Sequence, residues 1–350
     1  MLKSFRYLLY PFSLLYGLII LIRNWLFDKG IMKSAMFNFP LICVGNLAVG
    51  GTGKTPMTEY LMSLLKDKYL TATLSRGYKR KTKGFAIAGP DTTAIDIGDE
   101  PMQFHQKFPD VTVAVGEERL VAIPQLLHDR PNTQVIILDD AFQHRSVRAG
   151  LNILLTEYNN LYTRDFLMPA GDLRDVVSSR KRADIIVVTK CRIALPDSKK
   201  TEITNELKLL PHQSVFFTEI VYGQLFHLFS KEKTSIEPDS DVLLICGIAN
   251  PRPLKKFIAK NVRTYDMLLY KDHHIFLTDD LREIKKHFDD LASENKIIIT
   301  TEKDGVRLEK FSSELASYPI YVLPIKHQFL FDEGSAFDKI IFEFIDDILW

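Results

Sequence analysis

Leu41–Pro56 reads LICVGNLAVGGTGKTP: an unbroken apolar run, a glycine-rich turn, then Gly53-Lys54-Thr55 followed by a proline. A buried strand feeding a glycine loop that opens a helix is an arrangement that cradles phosphate. Glycines let backbone N–H groups converge on phosphate oxygens, and the helix N-terminus adds positive potential. In the motif G-x-x-x-x-G-K-[ST] the lysine reaches the β- and γ-phosphates and the next hydroxyl binds Mg²⁺. Those roles fall here to Lys54 and Thr55, within a nucleotide-binding loop of Ala48, Val49, Gly50, Gly51, Thr52, Gly53, Lys54 and Thr55. Ala48 stands where the motif has its first glycine, while Gly50, Gly51 and Gly53 keep the backbone free to turn. Pro56 suits a first helical turn, where a missing N–H costs nothing. The plainer reading is a glycine-rich turn carrying a surface lysine.

Outward from this loop, short apolar runs alternate with polar, helical stretches. Leu41–Val44, Thr71–Leu74, Val111–Val115, Val135–Leu138, Asn152–Leu155 and Ile185–Val188 read as strands, and Pro56–Leu65 and Arg119–His128 as helices. Most of the strands are continuously apolar, as expected when both faces of a parallel sheet are covered. The fold class is therefore α/β, with a P-loop NTPase-like parallel sheet. The rhythm then breaks. Ser214–Phe229 reads as two strands around Tyr222-Gly223, a hairpin, and Lys231–Asp241 is a polar linker. Val242–Cys246, Ile297–Thr300 and Ile320–Leu323 form a second, smaller α/β series. Within it, Thr278 caps a predicted helix from Asp279 towards Asn295, and an amphipathic segment, Ser335–Trp350, closes the chain. The predicted organisation is an apolar helix over 1–28, a P-loop domain over 29–212, a β-hairpin connector with linker over 213–240, and a second α/β domain with C-terminal helix over 241–350.

Tyr7–Ile22 runs sixteen residues without a charge, interrupted by Pro11 and Gly17. A spanning helix needs roughly 20 apolar residues, so the run is short, although Trp25, Leu26 and Phe27 extend its character. Lys3, Arg6, Arg23, Lys29 and Lys33 flank it against one acid, Asp28. Basic flanks on an aromatic-rich apolar helix suit an anionic membrane surface. The alternatives are a helix buried against its own domain and a true span. No small-x-small cleavage site follows the run.

A net charge of +1 gives no support for nucleic-acid binding driven by overall charge, and no nucleic-acid or obligate protein partner is expected. Cys43, Cys191 and Cys246 lie in or beside apolar runs without zinc-ligand spacing, which predicts free buried thiols.

A phosphate loop also needs an acid for its metal. Val135–Asp140, VIILDD, is an apolar strand that ends in Asp139 and Asp140, at the strand end where α/β sheets bind ligands. Either carboxylate can hold Mg²⁺ directly or through water.

Further motifs follow in order: GNLAVGGTGKTP (Gly45–Pro56), LSRGY (Leu74–Tyr78), GDEP (Gly98–Pro101) and LDDAFQHR (Leu138–Arg145). After these come PAGDLRD (Pro169–Asp175), GIANP (Gly247–Pro251), DHH (Asp272–His274) and TEKD (Thr301–Asp304). Together, over nearly the whole chain, they resemble the tetraacyldisaccharide 4′-kinases of lipid A biosynthesis. That family carries alanine or another small residue where Ala48 stands. Ala141, where DDGFQH is usual, and Asp172, where proline is general, depart from its pattern.

The resemblance implies an enzyme that transfers the γ-phosphate of ATP to the 4′-hydroxyl of tetraacyldisaccharide 1-phosphate, giving lipid IVA. Its implied cofactors are ATP and Mg²⁺, and its implied partners are an acylated disaccharide phosphate lipid and the cytoplasmic face of a bacterial inner membrane. It also implies Asp99 as base with His273 beside it, His274 being the alternative histidine. An Asp–His pair suits proton removal, since the carboxylate orients the imidazole and stabilises its cation; which member first takes the proton is open. Glu100 joins Thr55, Asp139 and Asp140 as a candidate metal ligand, or is a helix-start acid. Arg76, Tyr78 and Arg80 lie in a basic run that either grips the substrate's phosphate or is a solvated loop, and Arg119 and Arg174 are candidates of the same kind. Glu302-Lys303-Asp304 serves either adenine contact or domain packing. Because Asp99 and His273 fall in different predicted domains, closure across the connector is expected. The rival readings are a P-loop GTPase or metallochaperone-like NTPase, whose guanine tetrad is missing (Thr189-Lys190-Cys191-Arg192 is the nearest approach), and a nucleotide-binding membrane adaptor.

Overall fold

The computed structural model describes residues 6–349, so Lys3 of the basic flank and Trp350 of the closing segment lie outside the described residues. The strands of the two large sheets, in chain order, are β1 (Leu41–Asn46), β2 (Thr71–Ser75), β3 (Ala86–Ile87), β4 (Thr112–Val115), β5 (Val135–Asp139), β6 (Leu151–Glu157), β7 (Ile185–Thr189) and β8 (Ser214–Tyr222). They continue as β9 (Leu225–His227), β10 (Lys233–Thr234), β11 (Asp241–Cys246), β12 (Thr264–Leu269), β13 (Lys296–Thr301), β14 (Ile320–Leu323) and β15 (Ile325–Phe329). The principal helices are α1 (Tyr10–Asp28), α2 (Lys54–Leu65), α3 (Asp99–Lys107), α4 (Arg119–Asp129), α5 (Asp197–Leu207), α6 (Arg252–Asn261), α7 (Thr278–Asp289), α8 (Glu302–Leu308) and α9 (Gly334–Leu349).

The first sheet has nine strands in the order β15-β8-β7-β6-β1-β5-β2-β4-β3. Its seven inner strands are parallel, and both edges, β3 and β15, are antiparallel. Every residue of β1 is buried, which is why its sequence lacks alternation. Successive side chains enter opposite layers. Leu41 and Cys43 join one core with Ile123 and Leu126 of α4, while Ile42 and Val44 join the other with Met57 and Leu61 of α2. The second sheet has six strands in the order β10-β9-β14-β13-β11-β12, with its own core on each face. The α/β class stands.

The connector differs from expectation. β8 does not fold back on β9; the chain runs on through Gly223-Gln224 from one sheet to the other. Both strands pair instead with the returning strands β14 and β15, through Phe226↔Val322 and Tyr222↔Ile325. Gly223 marks the close approach of two crossing chains, since a Cβ there would stand 3.0 Å from Pro324 Cγ. A local hairpin does exist further on, between β9 and β10. Residues 325–349, expected with the second domain, return to the first. There β15 forms the sheet edge, and α9 buries Phe337, Ile341 and Ile345 in the first domain's core. Residues 264–269 gave no strand signal because β12 is a half-exposed edge. The α7 helix stops at Asp289, short of Asn295, and its start is fixed by Asp280, which accepts from Leu277 N–H at 2.7 Å.

Candidate active site

β1 ends in Asn46 and the chain turns through the glycine loop into α2. Gly50 and Gly53 adopt φ of +105° and +90°, a region that side-chain-bearing residues rarely enter. Lys54, at the first position of α2, is held back towards the strand end. Its Nζ donates to Asn46 Oδ1 at 3.3 Å and lies 3.7 Å from Asp140 Oδ1. Asn46 Nδ2 in turn donates to Thr52 Oγ1 at 2.8 Å, closing the loop on itself. Burial lowers the Lys54 ammonium from its ordinary range, and Asp140 opposes that effect.

The two aspartates that end β5 have unequal surroundings. Asp139 accepts from the Thr58 hydroxyl at 3.2 Å; burial, then the charge of Asp140, push its carboxyl up to about 6. Burial acts on Asp140 in the same direction but is outweighed by Lys54 and Arg174, leaving it below the usual carboxylate range. Arg174 grips Asp140 with both terminal nitrogens and also donates to Asn46 Oδ1 at 2.6 Å. Arg119 lies almost fully buried beneath this cluster, its NH2 at 3.5 Å from the Asp139 carbonyl.

Asp99, the first residue of α3, meets His273 of the second domain at 2.8 Å. The two predicted domains are thus in contact at this pair. Arg307 of α8 donates to the same carboxylate oxygen, and Lys303, one turn earlier, donates to His273 Nε2 at 3.0 Å. An ammonium only donates, so Nε2 accepts from Lys303; Nδ1 lies between the Asp99 carboxylate, an acceptor, and Arg307 NH2, a donor 3.1 Å away. Burial alone raises the Asp99 carboxyl, yet His273 and Arg307 outweigh it and hold it well below its ordinary value. The Tyr78 ring stands 5.5 Å from that of His273. The two domains therefore meet along α3 and α8, through a line of ion pairs.

α1 docks by its polar side. Asn24 donates to Asp175 and Ser179, Tyr16 to the Arg174 carbonyl at 2.8 Å, and Ser13 accepts from Ala170 N–H. Leu14, Leu15, Leu18, Ile19, Ile22 and Trp25 are each at least half exposed. With its preceding turn the helix spans 22 residues, and its most apolar stretch of 18 has a mean hydropathy of 1.4, long and apolar enough to cross a membrane by length and composition. A helix docked to serve its own core would bury the leucines; this one presents them outwards.

A family model described as Tetraacyldisaccharide-1-P 4'-kinase matches residues 5–345. The chain belongs to this family. Similar tetraacyldisaccharide 4′-kinases include those of Flavobacterium johnsoniae (48% identical, covering 98% of each chain) and Bacteroides thetaiotaomicron (44% identical, covering 96% of this chain and 92% of that one). Among solved structures, LpxK of Aquifex aeolicus in complex with ATP superposes with a TM-score of 0.76 at 30% identity, covering 99% of this chain and all of that one. The activity is thus that of an ATP-dependent kinase in lipid A biosynthesis, which displaces the GTPase-like and adaptor readings.

Within this tetraacyldisaccharide 4′-kinase fold, Lys54, Asp139, Asp140, Arg119 and Arg174 form one cluster, and Asp99, His273 and Tyr78 another. Glu100 is linked to the second cluster by Lys303 at 3.3 Å. Arg76 is exposed on its loop. Arg80 does not reach the cleft: it is spent on Glu117 and the Gly84 carbonyl, which pin its own loop. His274 is turned away onto Asp280 at 2.9 Å. Of TEKD, Glu302 and Lys303 make cross-domain contacts, and Asp304 accepts from Gly247 N–H at 2.9 Å. Residues not anticipated include Asn46, Arg307 and His144, whose imidazole is lowered to about 4 by burial and then by Arg119 and Arg76. The spacing of Lys303 and Arg307, one helical turn, was a usable signal for a shared face.

Proposed function

We propose that the Asp99–His273 pair takes the proton of the 4′-hydroxyl of tetraacyldisaccharide 1-phosphate while the glycine loop and Lys54 hold the β- and γ-phosphates of ATP. The observation that supports this most is the 2.8 Å contact between Asp99 and His273 across the domain boundary. The acceptor hydroxyl takes the place of the Lys303 ammonium at His273 Nε2 and gives its proton there. Asp99 stabilises the imidazolium through Nδ1–H. The freed oxygen attacks the γ-phosphorus, its bond to the β-phosphate oxygen breaks, and ADP leaves with the electron pair. Phosphoryl transfer needs positioning and neutralised charge more than covalent chemistry; Lys54 and Arg174 supply fixed cations at the loop, and Arg119 lies beneath them. Arg76 and Tyr78, on the exposed loop beside His273, are the candidates for contact with the disaccharide phosphate.

Mg²⁺ fits the donor set. Thr55, Asp139 and Asp140 offer hard oxygens, Glu100 of the neighbouring cluster is near enough for its charge to act on Asp139, and no group of three carboxylate, histidine or cysteine ligands is preformed among the described residues. Mg²⁺ commonly takes one or two carboxylates and completes its shell with water and phosphate oxygens. When bound it neutralises charge on the phosphates.

The outward apolar face of α1, with basic residues at its flanks, supports docking on the cytoplasmic surface of a bacterial inner membrane, where an acylated acceptor resides. The test is transfer of labelled γ-phosphate from ATP to tetraacyldisaccharide 1-phosphate in mixed micelles. Labelled lipid with wild type and its loss with Lys54→Ala are expected. Phosphate released without labelled lipid would contradict the reading.

A further inference from the structure

Two carbonyls of the phosphate loop are held from outside the loop by buried side chains. The Thr189 hydroxyl, at the end of β7, donates to Thr52 O at 2.8 Å. His327 Nε2, on β15, lies 2.9 Å from Gly53 O, which also accepts the first helical hydrogen bond, from Met57 N–H. A carbonyl oxygen only accepts, so Nε2 carries the proton. Nδ1 is then the acceptor, and the Thr218 hydroxyl, 2.9 Å away, donates to it and fixes that tautomer. His327 is 3% exposed and Thr218 fully buried. Burial also lowers the imidazole to about 4, so it stays neutral at physiological pH. The fit is close: a Cβ on Gly53 would stand 3.0 Å from Nε2 and 3.1 Å from Cε1.

β15 is also the strand by which the chain re-enters the first domain. Two residues before His327, Ile325 N–H donates to Glu302 Oε2 at 3.2 Å. Glu302 opens α8, the helix whose Lys303 contacts His273 and whose Arg307 holds Asp99. A short series of contacts thus joins the residue before Lys54 to the helix that orders the acceptor-side pair.

We propose that His327 is a positioning residue: by holding the Gly53 carbonyl from a strand tied to α8, it sets the phosphate loop in register with the Asp99–His273 pair. The inference rests on the kinase reading of the site. It predicts that the donor nitrogen, rather than the bulk of the ring, is what the loop needs.

The experiment compares wild type with His327→Leu, which removes the donor, His327→Gln, which restores an amide N–H, and Thr218→Val, which removes the hydroxyl that fixes the tautomer. Phosphate transfer is measured against ATP at saturating lipid and against lipid at saturating ATP, per folded molecule by circular dichroism. Loss of a buried hydrogen bond predicts a fall in kcat/KM for ATP of about tenfold in His327→Leu. The KM for lipid is expected to stay unchanged, His327→Gln to recover to within about threefold, and Thr218→Val to fall between. Wild-type kcat and KM for ATP in His327→Leu, or His327→Gln as impaired as His327→Leu, would overturn the proposal. Should His327→Leu not fold, Thr218→Val carries the test, and an unchanged kcat/KM for ATP in that variant would overturn it. Failure of wild type to label the lipid would instead sink the kinase reading, while binding of a fluorescent ATP analogue to the same variants would still judge His327.

Discussion

Replacing Lys107 with methionine removes the cation from a carboxylate pair buried between the domains. Lys107 Nζ, on α3, sits 2.7 Å from Glu59 Oε2 of α2 and 2.6 Å from Glu302 Oε1 of α8. Both carboxylates are less than a tenth exposed. Burial first, and then the charge of Glu302, push Glu59 up to about 7 from 4.5, even with Lys107 in place. Keeping Glu59 ionised above that pH therefore costs about 3 kcal/mol. Breaking a buried pair by removing one partner costs about 3–5 kcal/mol. The Lys107 side chain is about one-third exposed, so the lower end, about 3 kcal/mol, is expected at pH 8. At pH 5.5 Glu59 is protonated even without Lys107, its uncompensated charge is gone, and the loss shrinks to about 1 kcal/mol. The sign follows from linkage. A carboxyl raised on folding makes the native state bind the extra proton, so stability falls as pH rises from about 4.5 to about 7 in wild type, and over a higher window in Lys107→Met. Urea denaturation followed by circular dichroism at pH 5.5 and pH 8 measures this, with Glu59→Gln/Lys107→Met expected to recover most of the loss at pH 8. A gap from wild type that is independent of pH, or a double variant no better than Lys107→Met, would refute the reasoning.

Other outcomes follow from the same contacts. His327 is lowered on folding from 6.5 to about 4, so its stability contribution is present above pH 6.5 and is lost as pH falls towards 4. The loss is worth about 3 kcal/mol, and urea midpoints of His327→Gln should fall less steeply over that window. Arg174→Lys cannot keep a two-pronged hold on Asp140; steady-state transfer should fall about 10–100-fold with an unchanged thermal midpoint. Leu18→Lys on the outward face of α1 forfeits about 1.5–3 kcal/mol of apolar burial in a bilayer, and sedimentation with anionic vesicles should show at least about tenfold weaker binding.

Much of this molecule was legible in its sequence where function and local structure coincide. The phosphate loop declared itself because strand, glycines, lysine and helix must be contiguous to bind phosphate. Asp139 and Asp140 followed from their place at a strand end. The strands of the parallel sheet were visible as continuous apolar runs because both faces are covered. Other features depend on chain-distant meetings. Tyr222-Gly223 carries turn chemistry, yet Gly223 serves a crossing of two chains, something only the position of Pro324 reveals. β15 was missed because a short edge strand of mixed polarity, IKHQF, carries no periodic signal. His327 went unseen for the same reason: its role exists only once that strand lies against Gly53. Arg80 looked like its neighbours Arg76 and Lys79, and only Glu117, from a separate loop, distinguishes it. The apolarity of α1 was readable, but its orientation was not, since that is set by Asp175, Ser179 and Ala170 far along the chain.

The most direct measurement of the central claim is single-turnover phosphate transfer at saturating ATP, comparing wild type with Asp99→Asn. The asparagine keeps the size of the side chain but removes the charge that orients His273 and stabilises its cation. The expected result is a fall in the transfer step of about 10²–10⁴-fold with ATP binding unchanged. An Asp99→Asn enzyme that transfers phosphate to the lipid at the wild-type rate would contradict the account.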